Sequence, residues 1–125
     1  MPALSFSVFK DKIISGAKRQ TIRTVRKNPI KERDKLYLYW KQQSPKDCEK
    51  LGEATCAKAI PVRIEKAKAV LTYPEVCNYE IVHLDKFAQD DGFDNWQQLI
   101  EYFEKNYGLP FEGVLIQWNR INVTD

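Results

Sequence analysis

Alternation between apolar and polar positions predicts a chain built mainly of β-strands. Residues 4–8 and 35–40 alternate with the two-residue period of a half-buried strand, whereas residues 113–118 are mostly apolar, as in the centre of a sheet. A longer β-rich section covers residues 54–71. Pro61 interrupts it, so we expect the strand to end or to change direction there, because proline cannot donate a ladder hydrogen bond.

Helical periodicity occurs in two segments. It predicts a short amphipathic helix over residues 9–15 and a longer one over residues 94–107, with Asp94 as its N-cap. Residues 80–84 have the alternation of another strand. We therefore expect one α+β domain over residues 1–125, built around a mainly antiparallel sheet or small barrel.

The composition is that of an ordinary globular domain. Of the 125 residues, 43% are hydrophobic and 30% are charged, with 5 glycines and 6 prolines, which excludes disordered, collagen-like and low-complexity chains. The apolar runs fall short of the ~20 residues of a membrane helix. Residues 1–10 lack the pattern of an export signal, so we expect a cytoplasmic protein that does not bind membranes.

The net charge of +3 conceals an uneven distribution along the chain. Residues 1–46 contain 12 Lys and Arg against 3 Asp and Glu, whereas residues 75–125 contain 3 against 10. A basic segment commonly serves a polyanionic partner, and an acidic segment screens it or supplies carboxylates to a site. The alternative is that the two segments only pair with each other in the fold.

Cysteine and histidine give no sign of a metal site. Cys48, Cys56 and Cys77 contain no Cys-x-x-Cys pair, and His83 is the single histidine. A structural zinc site usually takes four ligands in two close pairs. We therefore expect no metal and no cofactor.

Residues 16–23 carry the most specific motif in the chain. They read G-A-K-R-Q-T-I-R and resemble the G-x-K-x-x-T-x-R motif of ASCH domains, the activating signal cointegrator homology family of the PUA-like group. Further similar segments follow in the order of that family: residues 33–36, 91–93, 107–108 and 114–118. Arg33 stands where the family usually has glycine.

This resemblance implies a PUA-like β-barrel with packed helices, and a cleft between the first motif and the loop before the long helix. It implies binding of RNA or a modified nucleoside in a basic cleft. Alternatives are a small amidohydrolase that deacylates N4-acetylcytidine, or an ASCH-type ribonuclease. In the amidohydrolase branch a lysine is the base, a threonine the nucleophile and a glutamate the acid. The matching positions are Lys18, Thr21 and, with a substitution, Asp91.

These residue types suit amide hydrolysis only if their surroundings change their pKa values. A threonine hydroxyl needs a neighbouring base, and a lysine serves as one when burial or nearby cations lower its pKa from about 10.4. Arg19 and Arg23 supply such cations. Asp91 serves as an acid only if its pKa is raised above about 3.9. In an extended strand, residues 18 and 21 point to opposite faces, whereas residues 21 and 23 share one.

A basic rim is predicted beside this cleft for the phosphates of RNA. Its ligand-binding candidates are Arg19, Arg23, Arg26, Lys27 and Arg33. Tyr37 and Tyr39, on the polar face of the strand at residues 35–40, are candidates for stacking on exposed bases. A structural alternative is that Lys18 and the rim are solvated, Thr21 is an ordinary strand residue, Arg23 pairs with Asp91, and the tyrosines cover a helix.

Overall fold

The computed structural model describes residues 3–42, 44–72 and 78–123. Within these residues the chain forms eight strands and three helices. In chain order they are β1 (Ala3–Phe6), α1 (Lys10–Ser15), β2 (Gln20–Arg23), β3 (Lys35–Trp40), β4 (Glu49–Glu65), β5 (Lys68–Thr72), β6 (Asn78–Glu80), α2 (Leu84–Asp90), α3 (Trp96–Asn106), β7 (Phe111–Trp118) and β8 (Asn122–Val123). None of these described helices is long and apolar enough to cross a membrane.

The long strand β4 belongs to both halves of the sheet. Its first residues pair with β3 and β8, and its later residues pair with β5 and β7. Strand β1 extends the first half by a parallel pairing with β3, while β2 and β6 extend the second half through β7 and β5. The other pairings are antiparallel, which confirms the predicted α+β class with a mainly antiparallel sheet.

The sheet bends but does not close, so the predicted barrel is corrected to an open sheet. Strand β4 carries a bulge between Cys56 and Lys58, and a bulge bends the strand that contains it. Within the described residues, β1 and β2 are both edge strands. No backbone ladder joins these two strands. A side chain connects them instead: Arg23 Nη2 of β2 donates a hydrogen bond to Ser5 O of β1 at 2.7 Å.

Two apolar clusters lie on the two sides of β7. Leu115 belongs to the cluster that contains α2 and α3, and the adjacent Ile116 belongs to the cluster that contains β1, β3 and α1. Successive side chains of a strand point to opposite faces. Strand β7 is therefore buried on both faces, as its apolar sequence predicts.

Helix α2 corrects the strand predicted over residues 80–84. Strand β6 ends at Glu80, and His83 is the N-cap residue of the helix. Phe87 and Ala88 are buried against the cluster of α2 and α3, with Leu84 packed beside them. Phe87 and Ala88 follow Leu84 by three and four residues, which is the period of a helix. This periodicity prevails over the alternation of residues 80–84 that predicted a strand.

Two other predicted boundaries are corrected. Pro61 does not end β4; it lies opposite Val114 of β7, one residue before the ladder with β5 begins, and sheets tolerate proline at the edge of a ladder. Asn95, rather than Asp94, caps α3, because Asn95 Oδ1 accepts a hydrogen bond from Gln98 N at 2.9 Å.

Arg33 adopts a backbone conformation that favours glycine. Its φ is 78°, in the left-handed region. Its N–H donates to Cys56 O at 2.8 Å, so the turn before β3 needs this conformation. The turn therefore keeps a glycine-like shape although arginine occupies it.

We expect Arg33→Gly to raise the free energy of unfolding by roughly 0.5–1 kcal/mol, because the left-handed region costs other residues about 1–2 kcal/mol and glycine loses part of that gain through chain entropy. Urea denaturation followed by circular dichroism measures the change. Lys31→Gly removes the same charge at a position without a positive φ, and it should lower the stability. A less stable Arg33→Gly variant would contradict the strain argument.

Candidate functional site

The C-terminal end of α2 is where the first motif meets the acidic half of the chain. Arg19 N donates to Asp90 O at 2.9 Å, and Lys18 Nζ donates to Asp91 O. The last carbonyl groups of a helix lack intrahelical partners and carry partial negative charge, so a cation is favoured there. The motif therefore caps this helix end.

Lys18 and Asp91 form a buried ion pair at the same place. Lys18 Nζ lies 3.7 Å from Asp91 Oδ1, and the two side chains are only 4% and 5% exposed. Among the described residues, Asp91 Oδ1 has no hydrogen-bond partner. The carboxyl group thus keeps an unused acceptor beside a buried cation.

Burial moves the pKa values of both groups towards neutrality. It lowers the pKa of Lys18 to about 8, although the charge of Asp91 acts in the opposite direction. It raises the pKa of Asp91 to about 6, against the charges of Lys18 and Arg23. A neutral lysine and a protonated aspartate are then accessible near neutral pH, where they are useful for proton transfer.

The side chains of Thr21 and Arg23 are joined. Arg23 Nε donates to Thr21 Oγ1 at 3.2 Å, and the guanidinium lies 4.7 Å from the centre of the Phe6 ring. Burial lowers the pKa of Arg23. The threonine oxygen therefore lies beside a fixed cation that stabilises negative charge on it. Asp91, the predicted structural partner of Arg23, pairs with Lys18 instead.

Lys18 and Thr21 line the same cavity because Lys18 precedes the strand. Gly16, with a φ of 89°, ends α1, and β2 begins only at Gln20. The rule that places residues 18 and 21 on opposite faces applies to an extended strand. It does not hold here, since the segment between the glycine and the strand is not part of the sheet.

The cavity has a volume of about 230 Å³ and a lining that is partly charged and largely aromatic. Its polar and charged side chains include Lys18, Thr21, Arg23 and Asp91. Its rings are Phe6, Phe9, Phe93, Tyr102, Phe103 and Tyr107. Sites for drug-sized ligands have about 300–1,000 Å³. This cavity therefore suits one small ring system at a time.

Gly92 allows Phe9 and Lys18 to pack closely beside the cavity. A Cβ atom on Gly92 would lie 2.7 Å from Phe9 Cδ2 and 3.2 Å from Lys18 Cδ. Phe9 itself has a φ of 65°. Strained backbone of this kind concentrates at functional sites.

The predicted basic rim reaches the cavity only in part. Of its five described arginines and lysines, Arg23 alone lines the cavity. Arg19 is 61% exposed and lies 3.8 Å from Asp90 Oδ1, outside the lining. Arg26 Nη2 donates to Ala3 O at 2.7 Å. Lys27 and Arg33 are exposed in the loop between β2 and β3.

Tyr37 and Tyr39 lie on the opposite face of β3 from the buried Leu36 and Leu38. They do not line the cavity. The nearest cations to the Tyr37 ring include Lys50 Nζ, 5.2 Å from its centre. The strand pleat therefore separates these tyrosines from the motif residues.

None of the six rings that line the cavity was assigned to a site from the sequence, and two of them, Tyr102 and Tyr107, are partly exposed. Tyr107 continues the helical spacing of Leu99 and Phe103, which predicts a position on the apolar face, but it is 53% exposed. Tyr102 lies beside the buried Phe103 and outside the apolar spacing of α3. A large ring next to an already complete apolar face was the available signal.

No cluster of three or more metal-binding side chains occurs within residues 3–42, 44–72 and 78–123. Cys48 is exposed and Cys56 is buried. Cys77 lies outside the described residues.

Comparison with known proteins returns no match: no family model matches the chain, and no curated protein or solved structure matches it significantly. The geometry of the cavity therefore carries the functional interpretation.

The buried pair should make stability depend on pH with two opposite slopes. Between pH 3.8 and about 6, Asp91 binds more protons in the folded chain, so the free energy of unfolding falls as pH rises. Between pH about 8 and 10.5, Lys18 binds more protons in the unfolded chain, so the free energy of unfolding rises with pH. Urea unfolding across this range measures both slopes.

The double variant Lys18→Met with Asp91→Asn should remove both slopes. The control is Lys50→Met with Glu53→Gln, a more exposed pair in which hydrogen bonds from lysines lower the pKa of Glu53 to about 2. It should leave the slopes between pH 4.5 and 10.5 unchanged. The linkage is excluded if the Lys18 and Asp91 double variant keeps the wild-type profile.

Proposed function

We propose that the protein binds a single nucleobase, that of a modified nucleoside or of single-stranded RNA, in the cavity of Lys18, Thr21, Arg23 and Asp91. The convergence of these four side chains in a small cavity lined by rings carries the proposal. Ring walls suit the flat faces of a base, and polar groups suit the donors and acceptors on its edge. The ASCH resemblance of residues 16–23 and 91–93 supports the same ligand class.

The PUA-like fold belongs to this proposal as well. The bent, mainly antiparallel sheet with helices packed on it supports that relationship. So does the position of the cavity, between the first motif and the segment before α3.

A second candidate function is hydrolysis of an acyl group from the amine of the bound base. It is favoured by the presence of Thr21 in the same cavity as Lys18 and Asp91, whose pKa values shift in opposite directions towards neutrality. Neutral Lys18 would take the proton of Thr21 as its oxygen attacks the acyl carbon. Protonated Asp91 would give its proton to the departing amine as the C–N bond breaks. Water would then attack the acyl carbon and give a proton to Asp91, and the bond to Thr21 would break as Lys18 returns its proton to the threonine oxygen.

Incubation with N4-acetylcytidine, followed by chromatography and calorimetry, tests both functions. We expect the wild type to bind the nucleoside. Lys18→Met should lose that binding, because it removes a polar group from the cavity and leaves Asp91 without its ion-pair partner. Thr21→Val should retain binding within a few-fold. If the protein is a hydrolase, the turnover of Thr21→Val should be at least about 100-fold lower than that of the wild type, since the nucleophile is absent.

Thr24→Val, an exposed threonine one residue after β2, is the matched control and should behave as the wild type. Binding without acetate release would reject the hydrolase and leave the base-binding proposal standing. Absence of binding to both the nucleoside and short RNA would reject both functions.

The basic loop gives a separate prediction for RNA. Arg26→Ala with Lys27→Ala should weaken binding of a short single strand and reduce the slope of log K against log salt by up to about 1.4, because two phosphate contacts are lost. Lys58→Ala with Lys66→Ala removes two exposed lysines outside the cavity and should leave the slope unchanged. Equal slopes for the two double variants would show that this loop does not contact the RNA phosphates.

A further inference from the structure

Two tyrosines, one within α3 and one that follows its last residue, line the cavity while part of their surface remains in solvent. Tyr102 is 36% exposed and Tyr107 is 53% exposed, and both line the cavity. The helix already buries Leu99, Ile100 and Phe103 against the core. The two rings are therefore not needed to complete that apolar face.

The two rings are held in place by other rings. The Tyr102 ring lies 5.5 Å from Phe93 and 5.5 Å from Phe103, and the Tyr107 ring lies 5.7 Å from Phe103 and 5.0 Å from Phe111. Such contacts fix the orientation of a ring, and the exposed fractions show that part of each tyrosine remains open to solvent. A ring that neighbouring rings hold in place and that keeps surface in solvent is suited to stacking on a base.

Cations continue from the cavity along the neighbouring edge of β1. Arg23 Nη2 donates to Ser5 O at 2.7 Å, and Arg26 Nη2 donates to Ala3 O at 2.7 Å. These carbonyl groups are two residues apart on one strand, so they point to the same edge. Arg23 lines the cavity together with Tyr102 and Tyr107, so this cation belongs to the same surface as the two rings.

We infer that Tyr102 and Tyr107 stack on the nucleotide next to the bound base, so that the ligand is a base within single-stranded RNA rather than a free nucleoside. The inference rests on the proposed function. The cavity has room for one ring system, and the solvent-exposed parts of the two tyrosines offer a second surface beside it. Arg23 and Arg26, which contact the edge of β1, complement the phosphate between the two nucleotides.

Calorimetry with two probes tests the inference: N4-acetylcytidine, and a single-stranded RNA trinucleotide with N4-acetylcytidine in the middle. The wild type should bind the trinucleotide at least about 10-fold more tightly. Tyr107→Leu and Tyr102→Leu should each weaken trinucleotide binding by about 5- to 150-fold, the loss expected for one stacked base. The affinity for the nucleoside should fall less than the affinity for the trinucleotide in both variants, because the nucleoside lacks the neighbouring base.

Two further variants separate stacking from other effects. Tyr107→Phe keeps the ring and should bind the trinucleotide as the wild type does. Tyr79→Leu removes a tyrosine that is 49% exposed on β6, outside the cavity lining, and should change neither affinity. Circular dichroism of each variant checks that it is folded.

The inference is overturned if the leucine variants leave trinucleotide binding unchanged, or if they weaken nucleoside and trinucleotide binding equally. In both cases wild-type binding of the nucleoside would leave the proposed function intact. If the wild type binds neither probe, the proposed function fails and the inference fails with it.

Discussion

The burial of Lys18 against Asp91 and the end of α2 is the interaction on which the cavity depends. Both side chains are almost inaccessible to solvent, and removing one partner of a buried ion pair typically costs about 3–5 kcal/mol. Neither charge can therefore be accommodated unless the segment before β2 is held against the segment after α2. The backbone hydrogen bond from Arg19 N to Asp90 O holds the same two segments together. The walls of the cavity follow from that arrangement.

This contact also joins the two halves of an unevenly charged chain. The basic half contributes Lys18 and Arg23, and the acidic half contributes Asp91 together with the rings of α3. The pairing of the two halves and the formation of a site are thus not alternatives. One pair of opposite charges is neutralised inside the fold, whereas Arg23 remains a cation in the cavity and is held by Thr21, Ser5 and Phe6.

Much of the fold could be predicted because its signals are local. Residues 35–40 have the two-residue period of a strand, and residues 113–118 form an apolar run of strand length. Gly16 ends α1, as its freedom at positive φ allows. The predictions failed where a local signal was weak or ambiguous. Helix α2 is only 7 residues long, so its two buried positions gave little periodicity to detect. Closure of the sheet would need β1 to pair with β2, and a local pattern within each strand does not report which strands pair.

The sequence by itself determined the α+β class, most of the strands and the motif residues that line the cavity. The tertiary structure decided which of the candidates meet. It separated Tyr37 and Tyr39 from the motif by the pleat of β3, and it brought Tyr102 and Tyr107 to the cavity mouth instead. It also decided the pKa values of Lys18 and Asp91. The physical reason is that periodicity reports neighbours along the chain, whereas burial and charge pairing depend on segments more than 70 residues apart.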